Sequence, residues 1–406
     1  MTGPLDESMR ILLCHNRYQR AGGEDQVFDD ESALLEAHGC EAIRYERHND
    51  EIRGMSRWRV AARTIDNPRT YGDIAEILRD RRPDIVHCTN TFPLISPAVH
   101  RAARDFGVPV VQSLHNFRLM CANAFLMREG RVCESCVGRS FAWPAVVHGC
   151  YRGSRSGSLV VAALIRSLAA RRKRGDPIAA YVALSEFSRR KFIEAGLPAA
   201  RMFVKPNFVA PDPGMGRGDG DYALFVGRLD TEKGLDVLLD AWHRIEAPIA
   251  LRVAGDGPFR DRVERAAKYD ARITFLGWRR SSEIAELLGS ARLLVFPSLW
   301  YENCPKTLLE SLARGTPVIA SRLGAMPEFV LDGTTGLHFR PGDSDDLARA
   351  VTSIWNERQQ LASMRRAARS EFERRYTSAT NHAMLMAIYE AARRIAEDAG
   401  LTASRG

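Results

Sequence analysis

Glu302 and Glu310, with seven residues between them, enclose the segment Asn303-Cys304-Pro305-Lys306-Thr307. Asn303 or Cys304 suits the N-cap of a helix, and Pro305 suits its first turn. The N–H groups near Lys306 and Thr307 would then face an anion, reinforced by the helix dipole. The two carboxylates suit hydroxyl groups, one on a sugar and the other on a ribose. In a glycosidase the acid and nucleophile face each other across one bond, and this spacing gives no reason to expect that. The alternative is a helix acid plus a surface acid.

A second segment, Val226-Gly-Arg-Leu-Asp-Thr-Glu-Lys-Gly-Leu235, follows a strand-like run. Gly227 permits a sharp turn, and Arg228 and Lys233 would project where open parallel sheets bind ligands. An arginine fork and a lysine point charge suit a diphosphate. They equally suit a solvated loop. Gly255 and Gly277 each follow a further strand-like run and would lie at the lip of the same crevice, with the backbone near Gly277 able to read a base edge. In the first half, Gly22 and Gly23 would let backbone approach a phosphate or sugar. His115 sits at a strand end, with Asn116 and Arg118 beside it as candidate acceptor contacts. A lone histidine is more often structural.

Four cysteines, Cys121, Cys133, Cys136 and Cys150, fall within 30 residues of one another in a loop-like stretch. Their spacing suits a structural tetrahedral zinc site, with His148 as an alternative ligand. Free thiols and a disulfide are the other readings.

Short β-branched runs alternate with helical lengths throughout, the pattern of an α/β protein with parallel sheets and crossover helices. The 406 residues suit two domains. The Gly- and Pro-rich stretch Ala210–Gly220 reads as the linker between them. The expected division is 1–208 and 209–379, with a C-terminal helix at about 380–400 packing back on the first domain. No run approaches the roughly 20 apolar residues of a membrane span, and no secretory signal pattern opens the chain, so the expectation is a cytoplasmic protein. The net charge of +8 is uneven: residues 1–210 hold 31 Lys and Arg against 23 Asp and Glu, whereas residues 211–406 balance. The basic run Arg166–Arg174 would form either a solvated helix face or a surface for anionic headgroups.

The ordered motifs GRLD…KG, AGDGP, FLGW, PSLWYENCPKTLLESLARGTPVIAS and GLHFRPGD resemble glycosyltransferase family 4. The resemblance covers about residues 8–395. It implies a GT-B fold, two Rossmann-like domains facing across a central cleft, the first binding acceptor and the second a nucleotide sugar. It also implies a retaining enzyme that uses a nucleoside-diphosphate sugar and requires no cofactor for catalysis. Arg228 and Lys233 would hold the diphosphate, Glu302 the transferred sugar and Glu310 the ribose, with His115 near the sugar. The family often has Phe-Gly after the first glutamate, where this chain has Asn303-Cys304-Pro305. The acceptor would be a glycan or lipid-linked glycan, with peripheral attachment to the inner face of the membrane. No nucleic-acid partner is expected: a basic, aromatic stacking platform is missing. A sugar-nucleotide epimerase is the enzymatic alternative, and a zinc-stabilised nucleic-acid-binding protein the non-enzymatic one.

Overall fold

The computed structural model describes residues 9–19 and 22–400. Its strands, in chain order, are β1 Arg10–Arg17, β2 Glu41–His48, β3 Ile85–Asn90, β4 Val110–Leu114, β5 Met127–Arg128, β6 Arg131–Val132, β7 Ile178–Ala183, β8 Met202–Val204, β9 Tyr222–Val226, β10 Ala250–Ala254, β11 Ile273–Gly277, β12 Leu293–Phe296, β13 Val318–Ser321 and β14 Gly336–Phe339. Two parallel six-stranded sheets result, ordered β2-β1-β3-β4-β7-β8 and β11-β10-β9-β12-β13-β14. Strands β3, β4, β7, β12 and β13 are buried at every position, as parallel strands covered on both faces must be.

The chain divides into two compact units. The first comprises the residues up to Phe125, Glu134–Lys205 and the residues from His382 on; the second comprises Leu126–Cys133 and Pro206–Asn381. In the first unit, Ile11, Leu13, Ile85 and Val182 of the sheet share a core with Phe28 and Leu35 of the helix Gly23–Ala37. Leu385, Ile388, Tyr389, Ala392 and Ala396 of the helix Ser378–Asp398 join the same core. In the second unit, Trp242 and Leu238 of the helix Leu235–Arg244 pack with Leu251 and Val253 of β10.

Two features depart from the sequence reading. Strand β2 carries exposed Glu41 at its start and exposed Arg44 and Glu46 on alternate positions; charge on the open face of an edge strand hides it from an apolar-run search. The stretch read as a linker is a strap packed on the second unit. Gly216 N–H donates to the Arg314 carbonyl at 2.9 Å, and Gly218 and Gly220 donate to Gly289 and Ser290 at 2.8 Å each. A Cβ at Gly216 would stand 2.2 Å from the Gly289 Cα. The glycines in this stretch therefore serve close backbone packing, and the chain leaves the first unit earlier, after Lys205.

Candidate functional site

In the second unit, β9 lies beside β12, with β10 and β11 on one side and β13 and β14 on the other. The strand order therefore reverses between β9 and β12, the position where open parallel sheets form a ligand crevice at their carboxyl ends. Two loops leave those ends. The loop after β9 turns at Asp230, whose carboxylate accepts from Thr231 N–H at 2.8 Å, and ends at Gly234 with φ of 70°. A Cβ on Gly234 would stand 1.9 Å from the Pro297 carbonyl oxygen, so the two loops touch through backbone. A bond of 2.9 Å from Leu299 N–H to the Glu232 carbonyl ties them further.

That contact brings Lys233 to Glu302. The Lys233 ammonium lies 2.6 Å from Glu302 Oε1, with the Lys233 side chain 21% exposed and that of Glu302 6%. The same oxygen accepts from the Ser298 hydroxyl at 2.6 Å and the Trp300 indole N–H at 2.8 Å. The Lys233 ammonium also stands 5.5 Å from the Trp300 ring centroid and 5.7 Å from that of Phe296, within the range of cation–π attraction. Arg228 pairs with Glu232 and approaches Asp230 at 3.6 Å. Arg228 and Lys233 therefore each carry an acidic partner that an incoming diphosphate would have to displace or share.

The helix after Glu302 runs Lys306–Ala313 and begins on Pro305, with no side-chain cap. This corrects the expected N-cap. Neither Asn303 nor Cys304 caps it; both are buried. Cys304 turns inward, its sulfur accepting from Asn207 N–H at 3.4 Å and its carbonyl from the Asn207 amide at 2.9 Å. A helix that starts without a side-chain cap presents its first N–H groups, at Lys306 and Thr307, to whatever lies before them. Glu310 is half-buried one turn further on. At the neighbouring strand ends, Gly227 N–H donates to the Ala254 carbonyl at 3.1 Å and Gly255 N–H to the Gly277 carbonyl at 2.9 Å. Open space adjoins Gly277, and the next residue, Trp278, is 68% exposed.

The first unit has its own strand-order reversal, between β1 and β3. Gly22 begins the helix Gly23–Ala37 in an extended conformation, and nothing lies near a Cβ built on Gly22 or Gly23. Gly22 N–H donates to Asp25 at 2.9 Å, and Asp25 lies 2.8 Å from His15 Nε2. Glu24 accepts from the Asn116 amide at 2.7 Å and from the Tyr18 hydroxyl at 2.6 Å. Burial pushes the His115 imidazole below its ordinary pKa, while Glu24 and Glu31 pull the other way. Arg118 is also shifted down by burial; its guanidinium donates to the Ala122 carbonyl and lies 4.6 Å from the Phe92 ring centroid.

Two family models match this chain: a glycosyl transferase 4-like domain over residues 12–207 and glycosyl transferases group 1 over residues 220–357. The chain belongs to the family 4 type of GT-B glycosyltransferases. It is 33% identical over 208 residues to glycogen synthase of Mycobacterium tuberculosis, covering 50% of this chain and 48% of that protein. It is 29% identical over 163 residues to the sulfoquinovosyl transferase SQD2 of Arabidopsis thaliana, covering 39% of this chain and 31% of the relative. The chain thus spans between a third and a half of these relatives' lengths. The solved structure of Anabaena Alr3699/HepE in complex with UDP and glucose superposes with a TM-score of 0.66 at 17% identity, covering 94% of this chain and 100% of that one.

Within this GT-B chain, of the four cysteines read as a structural zinc framework, Cys136 and Cys150 lie in or beside the first unit's apolar packing. Among the described residues no group of three or more His, Cys, Asp or Glu side chains is placed to hold a metal ion. Cys136 packs against Ala122, Ala142 and Ala145 in an apolar cluster that Cys150 borders, and the Cys121 thiol donates to Asn123 at 2.9 Å. Spacing alone cannot separate a ligand set from small core residues. Ser298, Trp300 and Glu232 of the second unit, and His15, Glu24 and Asp25 of the first, were not singled out from sequence. Their one sequence signal is position, within a few residues of a strand's carboxyl end.

Proposed function

We propose that the protein transfers a glycosyl group from a nucleoside-diphosphate sugar to an acceptor hydroxyl, with retention at the anomeric carbon. The observation that carries this reading is the Lys233–Glu302 pair at the reversal between β9 and β12, directly before a helix that starts without a side-chain cap. Lys233, Arg228 and the first N–H groups of that helix stabilise the departing diphosphate. Once Lys233 turns to phosphate, Glu302 accepts from a sugar hydroxyl. Glu310 takes the ribose, and the backbone at Gly277 meets the base. The UDP and glucose held by the Anabaena relative support this class of donor. In the first unit, Asn116 and Arg118 serve the acceptor side and His115 stands near the transferred sugar. The acceptor oxygen bonds to the anomeric carbon on the face from which the diphosphate leaves, and the leaving phosphate oxygen takes the proton. The chain's part is charge stabilisation and positioning.

The acceptor in this reading is a lipid-linked or polysaccharide-precursor glycan, met at the inner face of the membrane. No helix among the described residues is long and apolar enough to cross a bilayer. The helix Arg155–Arg174 ends in Arg171, Arg172, Lys173 and Arg174, and each basic residue near an anionic surface adds roughly 1 kcal/mol of attraction. A thermal-shift screen of UDP-, GDP-, ADP- and TDP-sugars tests the donor, followed by assignment of the product's anomeric configuration. Stabilisation by one of these donors, with a retained anomer in the product, is the expected result. Binding of none of them overturns the proposal.

A further inference from the structure

A cavity of about 340 Å³ lies within the first unit. It is bounded by the ends of β3 and β4, the helix Ala98–Asp105 and the helix Arg155–Arg174. Its walls are mainly apolar, with Leu114, Leu164, Leu168 and Ile178 among them. Two polar zones interrupt the walls. At one, Thr89 Oγ1, Asp66 Oδ1 and Arg101 Nε are buried atoms with no hydrogen-bond partner, and all three residues line the cavity. Thr89 is only 4% exposed, and a buried hydroxyl without a partner is a cost that a native fold normally avoids. At the other, Arg171, Arg172 and Arg174 line the wall beside Asp176. Asp176 is already engaged, accepting from the Tyr181 hydroxyl at 2.9 Å and from Ile178 N–H at 3.1 Å. Among the described residues the three arginines form no ion pair. Elsewhere in this unit Arg17 pairs with Asp29, Arg47 with Glu51 and Arg101 with Asp66.

A partly open, mainly apolar space, a set of orphaned polar atoms and unpaired cations together describe a ligand that is part hydrocarbon and part anion. We infer that this cavity binds a phosphate-bearing amphiphile, its apolar portion against Leu164, Leu168 and Ile178 and its phosphate at Arg171, Arg172 and Arg174. His115, Asn116 and Arg118 also line the cavity, so the ligand's polar end reaches the residues assigned to the acceptor and the transferred sugar. This deepens the proposed function and rests on it: the amphiphile is the acceptor's anchor. Arginine forks suit phosphate oxygens, and a mostly apolar pocket with a few convergent polar groups is the usual form of a small-ligand site. From sequence the basic run suits either a solvated helix face or a surface for anionic headgroups. The lining of the cavity makes three of its arginines part of a single-molecule site.

The test is calorimetric titration of the full chain with dodecyl phosphate below its micelle concentration, with inorganic phosphate and dodecanol as separate arms. UDP binding is measured on the same samples. Dodecyl phosphate is expected to bind one to one, at least tenfold tighter than either other probe. Arg171→Ala with Arg174→Ala weakens it tenfold or more, and Leu168→Trp, which fills the apolar wall, does the same. Far-ultraviolet circular dichroism and a thermal melt confirm that each variant is folded. If Leu168→Trp has no effect, the chain is not in the cavity and the inference falls. Equal binding of inorganic phosphate reduces the site to a surface anion site and also overturns it. If UDP binds and dodecyl phosphate does not, only this inference fails; loss of UDP binding in the unaltered protein defeats the donor reading instead.

Discussion

A lysine–glutamate pair in the first unit and one in the second behave as different devices. In the first unit Lys205 and Glu31 stand 2.5 Å apart with side chains 1% and 3% exposed. In the second, Lys233 and Glu302 stand 2.6 Å apart, but the lysine is 21% exposed. The first pair links the residue after β8 to the helix Gly23–Ala37 and is sealed from solvent. The second sits at the mouth of a strand-end crevice, and its carboxylate has two further donors in Ser298 and Trp300. A sealed pair fixes structure, because losing one partner strands a buried charge. A pair with one open side can exchange partners, and that is what a site for a diphosphate leaving group requires. In the proposed reading, like chemistry at like distance serves stability in one unit and function in the other, the difference lying in the exposure of the lysine.

The largest expected effect breaks the sealed pair. Glu31→Gln leaves the Lys205 ammonium buried without its carboxylate and should cost about 3–5 kcal/mol, read as a shift in the urea midpoint at unchanged slope. Burial pushes the Glu31 carboxyl up, but Lys205, with His87 and His115, pulls it down to about 2 from the ordinary 4.5. The folded state therefore holds the charged form more tightly than the unfolded chain does. That contribution is complete above about pH 4.5 and is lost as pH falls toward 2. The gap between the unaltered protein and Glu31→Gln should narrow over that window. A gap that stays constant from pH 7 to pH 3 would remove the pair as its cause.

Next comes the open pair, where the comparison predicts the reverse pattern. Lys233→Ala should reduce turnover by about 10²–10³-fold, the usual effect of removing one group that stabilises developing charge. Stability should fall less than in Glu31→Gln, because Glu302, though buried, keeps the Ser298 and Trp300 donors. Steady-state kinetics beside a thermal melt separates the two effects. A variant that melts several degrees lower while retaining turnover would make Lys233 a second structural lysine and erase the contrast.

A pH effect sharpens the same division. His87 is buried at the centre of the first unit, and burial pushes it down to about 4 from 6.5. A histidine lowered on folding is held neutral in the native state. The unfolded chain takes up its proton below pH 6.5, so stability declines as pH falls from about 6.5 to about 4 and levels off there. His87→Gln should flatten that part of the stability profile, measured by urea unfolding at half-unit steps, while the step assigned to Glu31 persists below it. A profile unchanged by the substitution would show that His87 is not the titrating group.

Much of the fold was legible because its signal is local. The runs ending at Val226 and Phe296 are the strands β9 and β12, and their following loops carry Lys233 and Glu302 as the motif order implied. What escaped was what depends on distant packing. Edge strand β2 hides behind alternating charge. Glu31 and Lys205 are 174 residues apart, and neither carries a local signal of the other. The N-cap moved to Pro305 because Cys304 is drawn inward by Asn207, a residue nearly a hundred positions earlier. The cysteine spacing does not record that Cys136 turns into an apolar cluster with Ala122, Ala142 and Ala145. The cavity beneath the basic helix is lined from β3, β4 and β7 and from two helices, and no single stretch announces it.

The smallest expected effect probes a buried contact that carries no charge. His87 Nδ1 lies 2.8 Å from the Tyr389 hydroxyl and Nε2 lies 2.8 Å from that of Ser113. Tyr389 belongs to the helix Ser378–Asp398, so this hydrogen bond fastens the C-terminal helix to the centre of the first sheet. Tyr389→Phe keeps the ring in its packing and leaves one imidazole nitrogen without a partner. The cost should be about 1–2 kcal/mol, well below that of Glu31→Gln, because a neutral group is stranded rather than a charge. Amide hydrogen exchange adds the structural readout: protection in the C-terminal helix should fall more than in the strands of the second unit. If Tyr389→Phe costs as much as Glu31→Gln, then charge is not what distinguishes the sealed pair, and hydrogen bonding alone would account for it.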